Sequence, residues 1–384
     1  MAMKYFLVAC EASGDAHGAL LIEELKKLSP GAEFQGLGGP RMAAAGLSLL
    51  QDMTLFSALG FGDVVRQYFK YLKVFNAALR SIKTWAPDAV IVIDSPAFNL
   101  RLAKKIPAGI PVIYYISPQI WAWGGRRIHD IKKHIDHMMV ILPFEVSIYE
   151  KISLSCEFVG HPLLDEISIP DNREDARRAL GIAPHETAVA LLAGSREKEV
   201  KRIFPIMIKA AKLLSKENPA FKFFYSKAPN LSASIYEECL SFHPDFKVPL
   251  ASIPYHEFVH ASDFALVTSG TATLETALLK TPFFLLYKTS ASTYFIGKQL
   301  VKVPFLGLVN LLAGKCVIPE FIQNEATPEV IAHEAGILLR NRNLYEQMKS
   351  EFEKVRIKLG SEGASRRAAE SVLRFLKKRN TAGN

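Results

Sequence analysis

The chain has 384 residues, of which 49% are hydrophobic and 22% are charged, and its formal net charge is +9. This length predicts two domains, and the composition is ordinary for a soluble globular chain with sizeable cores. No uncharged apolar run approaches the roughly 18 residues of a membrane span, and the N-terminus lacks the flanks of a signal peptide. The positive charge would suit nucleic acid, an anionic membrane surface or phosphorylated substrates.

The cysteines are widely spaced and include no CxxC pair. They are Cys10, Cys156, Cys239 and Cys316. This spacing indicates reduced thiols in a cytosolic protein and excludes a disulfide framework or a cysteine-based zinc site.

The N-terminal residues predict a strand, a polar turn and a helix, the opening of a doubly wound α/β domain. We place the strand at Tyr5–Cys10, the turn at Glu11–Asp15 and the helix at Gly18–Leu28. The turn lacks a full GxGxxG pattern, so it does not indicate NAD. A second strand, Phe34–Leu37, ends in glycines at the edge where open α/β sheets bind ligands.

The stretch Leu55–Val74 is rich in aliphatic and aromatic residues, with basic residues between them. Such a stretch can lie on a membrane surface. The alternative is a core helix that covers the sheet, since packing against a core accounts for most apolar helices.

Asp94 directly follows the apolar strand Ala89–Ile93. A carboxylate at the carboxyl end of a central parallel strand is a candidate general base, because partial burial there raises its pKa. The alternative is an aspartate that caps the next helix.

Two of the three tryptophans lie together after the strand Val112–Ile116. Trp121 and Trp123 precede Arg126 and Arg127. Indoles beside guanidinium groups suggest a wall that packs an apolar group or a sugar and pairs with a phosphate. We expect a helix at Ile128–His137 and a strand at Met138–Leu142 to follow.

A polar linker at Ile167–Arg173 ends the first half, and the pattern of strand, small-residue turn and helix then restarts. The predicted strands are Thr187–Leu192, Phe221–Ser226, Val248–Leu250, Phe264–Val267 and Pro282–Tyr287. The predicted helices are Arg173–Leu180, Glu199–Leu214, Pro328–Arg340, Leu344–Leu359 and Glu362–Lys378, with disorder from Arg379 onward.

The segment Leu266–Leu279 reads as a strand, a turn of small residues and a helix. Unpaired N–H groups and the dipole of a helix start favour an anion, so this turn can bind a phosphate. Glu275, about one turn into the helix, can accept hydrogen bonds from ribose hydroxyls. The segment therefore suggests a nucleoside diphosphate site, and the alternative is an ordinary strand–helix junction.

Two other patterns are set aside. His256–His260 matches the HExxH zinc motif, but no third ligand follows and the segment is one short turn before a strand. The basic residues are spread over many segments without a nucleic-acid motif, so we expect no nucleic-acid partner.

Five stretches, taken together and in order, resemble the lipid-A-disaccharide synthases, a glycosyltransferase family of GT-B architecture. They are Glu11–Asp15, Ser117–Arg127, Gly194–Arg196 with Glu199, Ser269–Glu275 and Asn310–Gly314. The resemblance extends from residue 4 to about residue 375. Each motif is weak alone, but an unrelated chain would not carry all five in register.

The resemblance implies two Rossmann-like doubly wound α/β domains that face a cleft. The domains would be residues 1–168 and 169–345, with closing helices at 346–384 that return to the first domain. It implies an inverting transfer of 2,3-diacylglucosamine from UDP to the 6-hydroxyl of 2,3-diacylglucosamine 1-phosphate. The products would be the β(1→6) disaccharide and UDP. No metal and no organic cofactor is expected.

The resemblance also implies that the enzyme is a peripheral membrane protein on the cytoplasmic face of the inner membrane in Gram-negative bacteria. An anionic membrane surface would then be a partner. The oligomeric state is left open, with a homodimer as one alternative.

The resemblance assigns residues to both substrates. Asp94 is the candidate base. The candidate donor-site residues are Ser195, Arg196, Ser269, Gly270, Thr271, Thr273, Glu275, Asn310 and Glu320. The candidate residues on the acceptor and lipid side are Glu11, Ser13, Gly14, Asp15, Phe61, Phe69, Leu72, Trp121, Trp123, Arg126 and Arg127.

Three positions depart from the family pattern. Ala193 replaces a usual proline, Cys10 replaces a common glycine, and Ala97 replaces an acidic residue three positions after Asp94. Because this second acid is missing, Asp94 is left as the candidate general base at this end of the strand.

Within the same fold, the alternative functions are those of a cell-wall N-acetylglucosaminyltransferase and a UDP-sugar 2-epimerase. From a different class, a membrane-surface binding protein without turnover is a further alternative.

Overall fold

The computed structural model describes residues 2–54, 64–169, 172–300 and 303–382. The chain forms two compact units, of which the first comprises Met1–Glu166 with Leu359–Asn384 and the second comprises Ile167–Lys358. The predicted α/β class is confirmed, because each unit contains one parallel sheet with helices between its strands.

The first unit contains seven described strands. They are β1 (Lys4–Ala9), β2 (Glu33–Gly38), β3 (Ser48–Asp52), β4 (Ala89–Ile93), β5 (Val112–Tyr115), β6 (His137–Val140) and β7 (Ser155–Phe158). Its helices up to the linker are α1 (Ala12–Leu28), α2 (Pro40–Ala44), α3 (Val64–Trp85), α4 (Pro96–Ala103), α5 (Arg127–His134), α6 (Val146–Glu150) and α7 (Leu163–Glu166).

The second unit contains five described strands. They are β8 (Thr187–Leu192), β9 (Phe221–Tyr225), β10 (Phe264–Thr268), β11 (Phe283–Tyr287) and β12 (Glu320–Ile322). Its helices are α8 (Arg173–Ala179), α9 (Glu197–Glu217), α10 (Ala233–Ser241), α11 (Tyr255–Ala261), α12 (Thr271–Leu278), α13 (Ala291–Leu300), α14 (Leu308–Ala313), α15 (Pro328–Arg340) and α16 (Arg342–Lys358). The last helix, α17 (Ala364–Ala382), belongs to the first unit.

The strand order places a switch point at the centre of each sheet. The first sheet runs β3-β2-β1-β4-β5-β6-β7, and the second runs β12-β11-β10-β8-β9. The chain leaves β1 in one direction and returns to its other side at β4, and it does the same at β8 and β10. Open parallel sheets bind ligands at the carboxyl ends of such strand pairs.

The two faces of the first sheet are buried against different helices. One core cluster combines Phe6, Val8, Val90 and Val92 with residues of α3, and the other combines Leu7, Ile91 and Ile93 with residues of α1 and α17. The central strands β1 and β4 are therefore continuous apolar runs, as a parallel sheet with two covered faces requires.

Several element boundaries differ from the sequence predictions. Helix α1 begins at Ala12, so most of the predicted turn at Glu11–Asp15 is the first turn of the helix. Gly14 permits this, because a Cβ there would lie 3.3 Å from the Cβ of Ala9 and would crowd the helix against β1. The segment Val248–Leu250 forms only an isolated bridge from Leu250 to Tyr225 rather than a strand.

The closing helices also divide differently from the expectation. Helix α16 stays with the second unit, where its residue Phe352 stacks on Phe283 of β11 at 5.6 Å. Only α17 packs in the first unit, against α1. It continues to Ala382, beyond the predicted start of disorder, and Arg379 donates hydrogen bonds to Asp136 and to the carbonyl of Gly109.

Candidate active site

Asp94 follows β4 at the switch point of the first sheet. Asp94 and Ser95 both have left-handed backbones, with φ of 47° and 44°. The carbonyl of Asp94 accepts hydrogen bonds from the Tyr114 hydroxyl at 2.5 Å and from Nδ2 of Asn99 at 2.6 Å. Left-handed residues other than glycine persist only where their surroundings hold them, and they cluster at functional sites.

The pKa of Asp94 is raised. The main cause is burial, which disfavours the charged carboxylate, and the negative charge of Glu11 adds to it. A backbone hydrogen bond from Ser95 and the positive charge of His17 oppose the rise. The environment therefore shifts this carboxylate in the direction that suits a proton acceptor.

His17 and Glu166 were not assigned to the site by the sequence reasoning. Nδ1 of His17 lies 2.9 Å from Oε1 of Glu166, which is in α7. Because His17 also affects the charge state of Asp94, it belongs to the same cluster. The sequence gives no signal for the pair, since the two residues lie in helices far apart along the chain.

Asp15 has a well-defined partner set. Its buried carboxylate accepts hydrogen bonds from the backbone N–H groups of Gly39 at 2.8 Å, Arg41 at 3.0 Å and Met42 at 3.0 Å. It therefore holds the start of α2 beside α1. Its neighbours Glu11 and Ser13 are exposed at the carboxyl end of β1.

The two tryptophans have different environments. The Trp121 indole is tied into the first unit, because Nε1 donates to Oε1 of Glu145 at 3.0 Å and the ring meets Phe144 edge-on at 5.2 Å. Trp123 is 45% exposed, and the Arg127 guanidinium lies over its ring at 4.3 Å. Of the predicted wall, the structure thus pairs Trp123 with Arg127, and Arg126 is exposed next to them.

In the second unit, two small-residue turns lie side by side. Val267 of β10 pairs with Leu192 of β8, so the turns after these strands are neighbours. Gly194 has φ of 100°, and a Cβ there would lie 2.8 Å from Oε2 of Glu199 and 3.2 Å from Cγ2 of Thr268. Only glycine fits both the backbone conformation and the space.

Arg196 is at the start of α9. Its side chain is 76% exposed and donates to Oε1 of Glu199 at 2.8 Å. The guanidinium is thereby held at the carboxyl edge of the sheet, next to Ser195, with most of its surface open to solvent.

The turn before α12 is open to solvent at its centre. Gly270 and Thr271 are exposed, and no described residue lies within 4 Å of the position that a Cβ on Gly270 would take. Ser269 is half-buried and donates its backbone N–H to Leu286 at 2.9 Å. The buried Thr273 hydroxyl donates to the Gly270 carbonyl at 2.7 Å, so Thr273 shapes the turn.

Glu275 has a partner that the sequence reasoning missed. The pKa of Tyr255 is raised well above its usual value, mainly by burial and then by the charge of Glu275 and a hydrogen bond to it. Tyr255 belongs to α11, so this contact fixes the Glu275 carboxylate from a neighbouring helix.

The buried Asn310 and the half-buried Glu320 form one hydrogen-bond network. Asn310 Oδ1 accepts from the N–H groups of Val317 and Ile318, and its Nδ2 donates to Glu320 Oε1 at 2.8 Å. The Glu320 carboxylate also accepts from the N–H groups of Leu306 and Gly307. These bonds occupy both ends of the Asn310 side chain and indicate that the pair positions the loops around α14.

Helix α3, which includes part of the apolar stretch Leu55–Val74, has both buried and exposed aromatic residues. Tyr71 and Phe75 pack edge-on against Phe98 at 5.3 and 5.6 Å, as a core helix does. Phe69 on the same helix is 65% exposed, and Leu72 is half-buried. Phe61 lies outside the described residues.

The HExxH segment does not form a metal centre. It lies in α11, which has only seven residues, and His260 Nδ1 contacts the Leu279 carbonyl at 3.1 Å. Within the described ranges, no group of three or more His, Cys, Asp or Glu residues could hold a metal ion. Within the same ranges, no helix is long and apolar enough to cross a membrane.

Comparison with known proteins identifies relatives over nearly the whole chain. The family model for lipid-A-disaccharide synthetase matches residues 5–375. The chain is 42% identical over 373 residues to the lipid-A-disaccharide synthase of Syntrophus aciditrophicus, with 97% of each chain covered.

Solved structures show the same fold at low sequence identity. The UDP-GlcNAc 2-epimerase of Neisseria meningitidis bound to UDP-GlcNAc has a TM-score of 0.64 at 13% identity, covering 97% of this chain and 100% of that one. MurG of Acinetobacter baumannii has a TM-score of 0.59 at 15% identity, covering 97% and 99%. At these identities the likeness shows the fold alone, which is the GT-B type of α/β architecture.

The electrostatic environment of Asp94 can be tested by two substitutions with opposite effects. Glu11→Gln removes a negative neighbour and is expected to lower the pKa of Asp94, whereas His17→Asn removes a positive one and is expected to raise it. Carboxyl carbon NMR of aspartate-labelled protein measures both, with Asp94→Asn to assign the signal. If the pKa of Asp94 shifted in the same direction in both variants, the opposing effects of Glu11 and His17 on Asp94 would be contradicted.

Proposed function

Because the chain belongs to the lipid-A-disaccharide synthase family, we propose that it catalyses the defining transfer of that family. The chain is then a hexosyltransferase of lipid A biosynthesis. It moves 2,3-diacylglucosamine from UDP to the 6-hydroxyl of 2,3-diacylglucosamine 1-phosphate and releases UDP. The structural observation that carries the mechanism is Asp94, a carboxylate of raised pKa at the switch point of a parallel sheet.

Asp94 acts in this proposal as the general base. The acceptor oxygen attacks the anomeric carbon while its proton passes to the Asp94 carboxylate, and the bond from that carbon to the UDP oxygen breaks. A single displacement inverts the α-linked donor to the β(1→6) product. The left-handed backbone at Asp94 and Ser95 supports this role, because Tyr114 and Asn99 hold the Asp94 carbonyl and so fix the backbone that carries the carboxylate.

The second unit supplies the donor site in the proposal. The start of α12, with Ser269, Gly270 and Thr271, would meet the diphosphate, because helix N-termini present N–H groups and a favourable dipole to anions. Arg196, next to Ser195, would pair with the charge that develops on departing UDP. These groups supply the leaving-group stabilisation that the mechanism requires, and the proposal includes no cofactor.

The remaining donor-side residues support these contacts. Glu275, held by Tyr255, would accept hydrogen bonds from the ribose hydroxyls. Thr273, Asn310 and Glu320 would position backbone around the nucleotide, because their polar atoms already hold neighbouring turns.

The first unit supplies the acceptor side. Trp123 with Arg127, and Arg126 next to them, would receive the sugar phosphate, because an exposed guanidinium pairs well with a phosphate. Glu11 and Ser13, at the carboxyl end of β1, would face the acceptor hydroxyls, while Gly14 and Asp15 hold α1 and α2 in place.

The proposal extends to the membrane. Lipid substrates carry acyl chains, and α3 exposes Phe69 together with Lys70 and Lys73. An exposed aromatic residue with neighbouring lysines matches an interfacial helix on an anionic bilayer. The enzyme would then work as a peripheral protein on the cytoplasmic face of the inner membrane.

Asp94→Asn is expected to fold normally, to keep its affinity for UDP and to lose about 10²- to 10⁴-fold in kcat, because the amide cannot accept the proton. Asp88→Asn is the matched control, since Asp88 precedes β4 and its Oδ2 accepts from the Lys4 N–H at 2.7 Å. Disaccharide formation and UDP calorimetry measure the two effects. A wild-type kcat in folded Asp94→Asn would remove Asp94 from the base role.

Arg196→Ala is expected to weaken UDP binding about tenfold, because one charge-assisted contact to phosphate is lost. Lys201→Ala, further along α9, is the control because that lysine pairs with Glu197 and Glu238. Isothermal titration calorimetry gives both dissociation constants. Equal weakening in the two variants would assign the effect to general charge rather than to the Arg196 position.

Phe69→Ser is expected to weaken binding to anionic phospholipid vesicles about tenfold, the effect of removing one inserted aromatic side chain. Phe242→Ser is the control, because Phe242 lies in the second unit and is 73% exposed. Vesicle co-sedimentation measures binding, and circular dichroism checks folding. Unchanged vesicle binding of folded Phe69→Ser, or a loss equal to that of Phe242→Ser, would contradict a membrane role for Phe69.

A further inference from the structure

Glu145 is a buried acid that the mechanism above does not use. It ends a short 3₁₀ turn, Pro143–Glu145, after β6, and only 1% of its surface is exposed. Several hydrogen-bond donors converge on its carboxylate. Oε1 accepts from the Ser117 hydroxyl at 2.7 Å and from Trp121 Nε1 at 3.0 Å, and Oε2 accepts from the Leu142 N–H at 3.2 Å.

The first two donors belong to a loop with a strained beginning. Ile116, between β5 and Ser117, has φ of 64°. A β-branched residue in the left-handed region is costly, and such strain persists only where neighbouring contacts over-determine it. The Ile116 N–H is held by the Met139 carbonyl at 3.0 Å, and the next residue is held by Glu145.

One carboxylate oxygen therefore fixes the loop at two points, Ser117 and Trp121. Beyond Trp121 the chain passes to the exposed Trp123, over whose ring the half-buried Arg127 places its guanidinium. If Glu145 were removed, the Trp121 indole would lose its hydrogen-bond partner, and the strained start of the loop would lose one of its two restraints. The loop would then be free to move, and Trp123 and Arg127 would move with it.

We propose that Glu145 is a positioning residue for acceptor binding, which holds the loop 117–123 so that Trp123 and Arg127 can receive the phosphate of the acceptor sugar. This inference rests on the proposed function, because it takes the acceptor to be a sugar phosphate. It assigns Glu145 no contact with substrate.

The ionised form of Glu145 is the one that fits its partners. Ser117, Trp121 and the backbone all donate hydrogen bonds to the carboxylate, so a proton on Oε1 or Oε2 competes with them. Burial raises the pKa of Glu145 to about 7, against the lowering effect of these hydrogen bonds. The titratable groups that face it are Tyr149 of α6 and Cys156 of β7, and burial raises the pKa of both, so they stay neutral near pH 7.

The sign of the pH effect follows from this. Above about pH 7 the ionised Glu145 carboxylate accepts the hydrogen bonds from Ser117 and Trp121 that restrain the loop. As the pH falls through that value, Glu145 takes up a proton and these hydrogen bonds weaken. The KM for the acceptor should therefore rise toward acid, while the KM for the UDP-sugar donor should not follow it.

The test compares Glu145→Ala and Glu145→Gln with Asp136→Ala. Asp136 is the matched control because its Oδ2 accepts from the Val112 N–H at 2.8 Å, at the opposite end of β5. Glu145→Ala is expected to raise the acceptor KM about tenfold with the donor KM unchanged. Glu145→Gln keeps one oxygen for Ser117 and Trp121, so its acceptor KM should be intermediate and should lack the acid-side rise.

Tryptophan fluorescence gives a second readout that does not depend on catalysis. Wild type should show an emission change with a midpoint near pH 7 that is absent in Glu145→Gln and in Trp121→Phe. If wild type formed no disaccharide but showed this transition, the proposed function would fail while the loop restraint stood. An acceptor KM in Glu145→Ala equal to that of Asp136→Ala, or equal rises in both KM values, would overturn the proposal.

Discussion

The pairing of β1 with β4, and of β8 with β10, is the constraint on which the rest of the arrangement depends. In each sheet the chain leaves one strand and returns on its other side, so two carboxyl ends that are far apart in sequence become neighbours. Ala9 pairs with Ile93, which brings the turn after β1 next to Asp94. Val267 pairs with Leu192, which brings Ser269–Thr271 next to Gly194–Arg196. Asp94, Arg196 and Ser269–Thr271 therefore lie at the carboxyl edges of the two sheets.

The acidic residues near these edges perform two different tasks. Asp15, Glu145 and Glu320 use their carboxylates to hold backbone N–H groups of neighbouring turns. Asp94 is different, because two side chains bind its backbone carbonyl and its carboxylate lies near the negative charge of Glu11. Burial and the negative charge of Glu11 drive the Asp94 carboxylate toward accepting a proton. This contrast distinguishes the candidate base from the positioning residues.

Much of this organisation could be predicted from the sequence, for a physical reason. Apolar strands followed by small-residue turns predict parallel sheets, and the turns mark the edges where such sheets bind ligands. Because Asp94, Arg196 and the turn before α12 directly follow such strands, the sequence alone places them at these edges. The contacts of Glu145, Tyr255 and Glu166 could not be found in this way. Each partner lies on a different element, and no local periodicity specifies which elements meet. The start of α1 was misplaced for a related reason, since Ser13, Gly14 and Asp15 have turn propensities that packing against β1 overrides.

One assay shows whether this chain joins two acylated sugars. Purified wild-type protein in detergent is supplied with UDP-2,3-diacylglucosamine and 2,3-diacylglucosamine 1-phosphate. The products are followed by mass spectrometry, and the anomeric linkage is determined by proton NMR. We expect one UDP to be released for each disaccharide formed, with a β(1→6) linkage. Binding of UDP without disaccharide formation, or a product with retained α configuration, would contradict it.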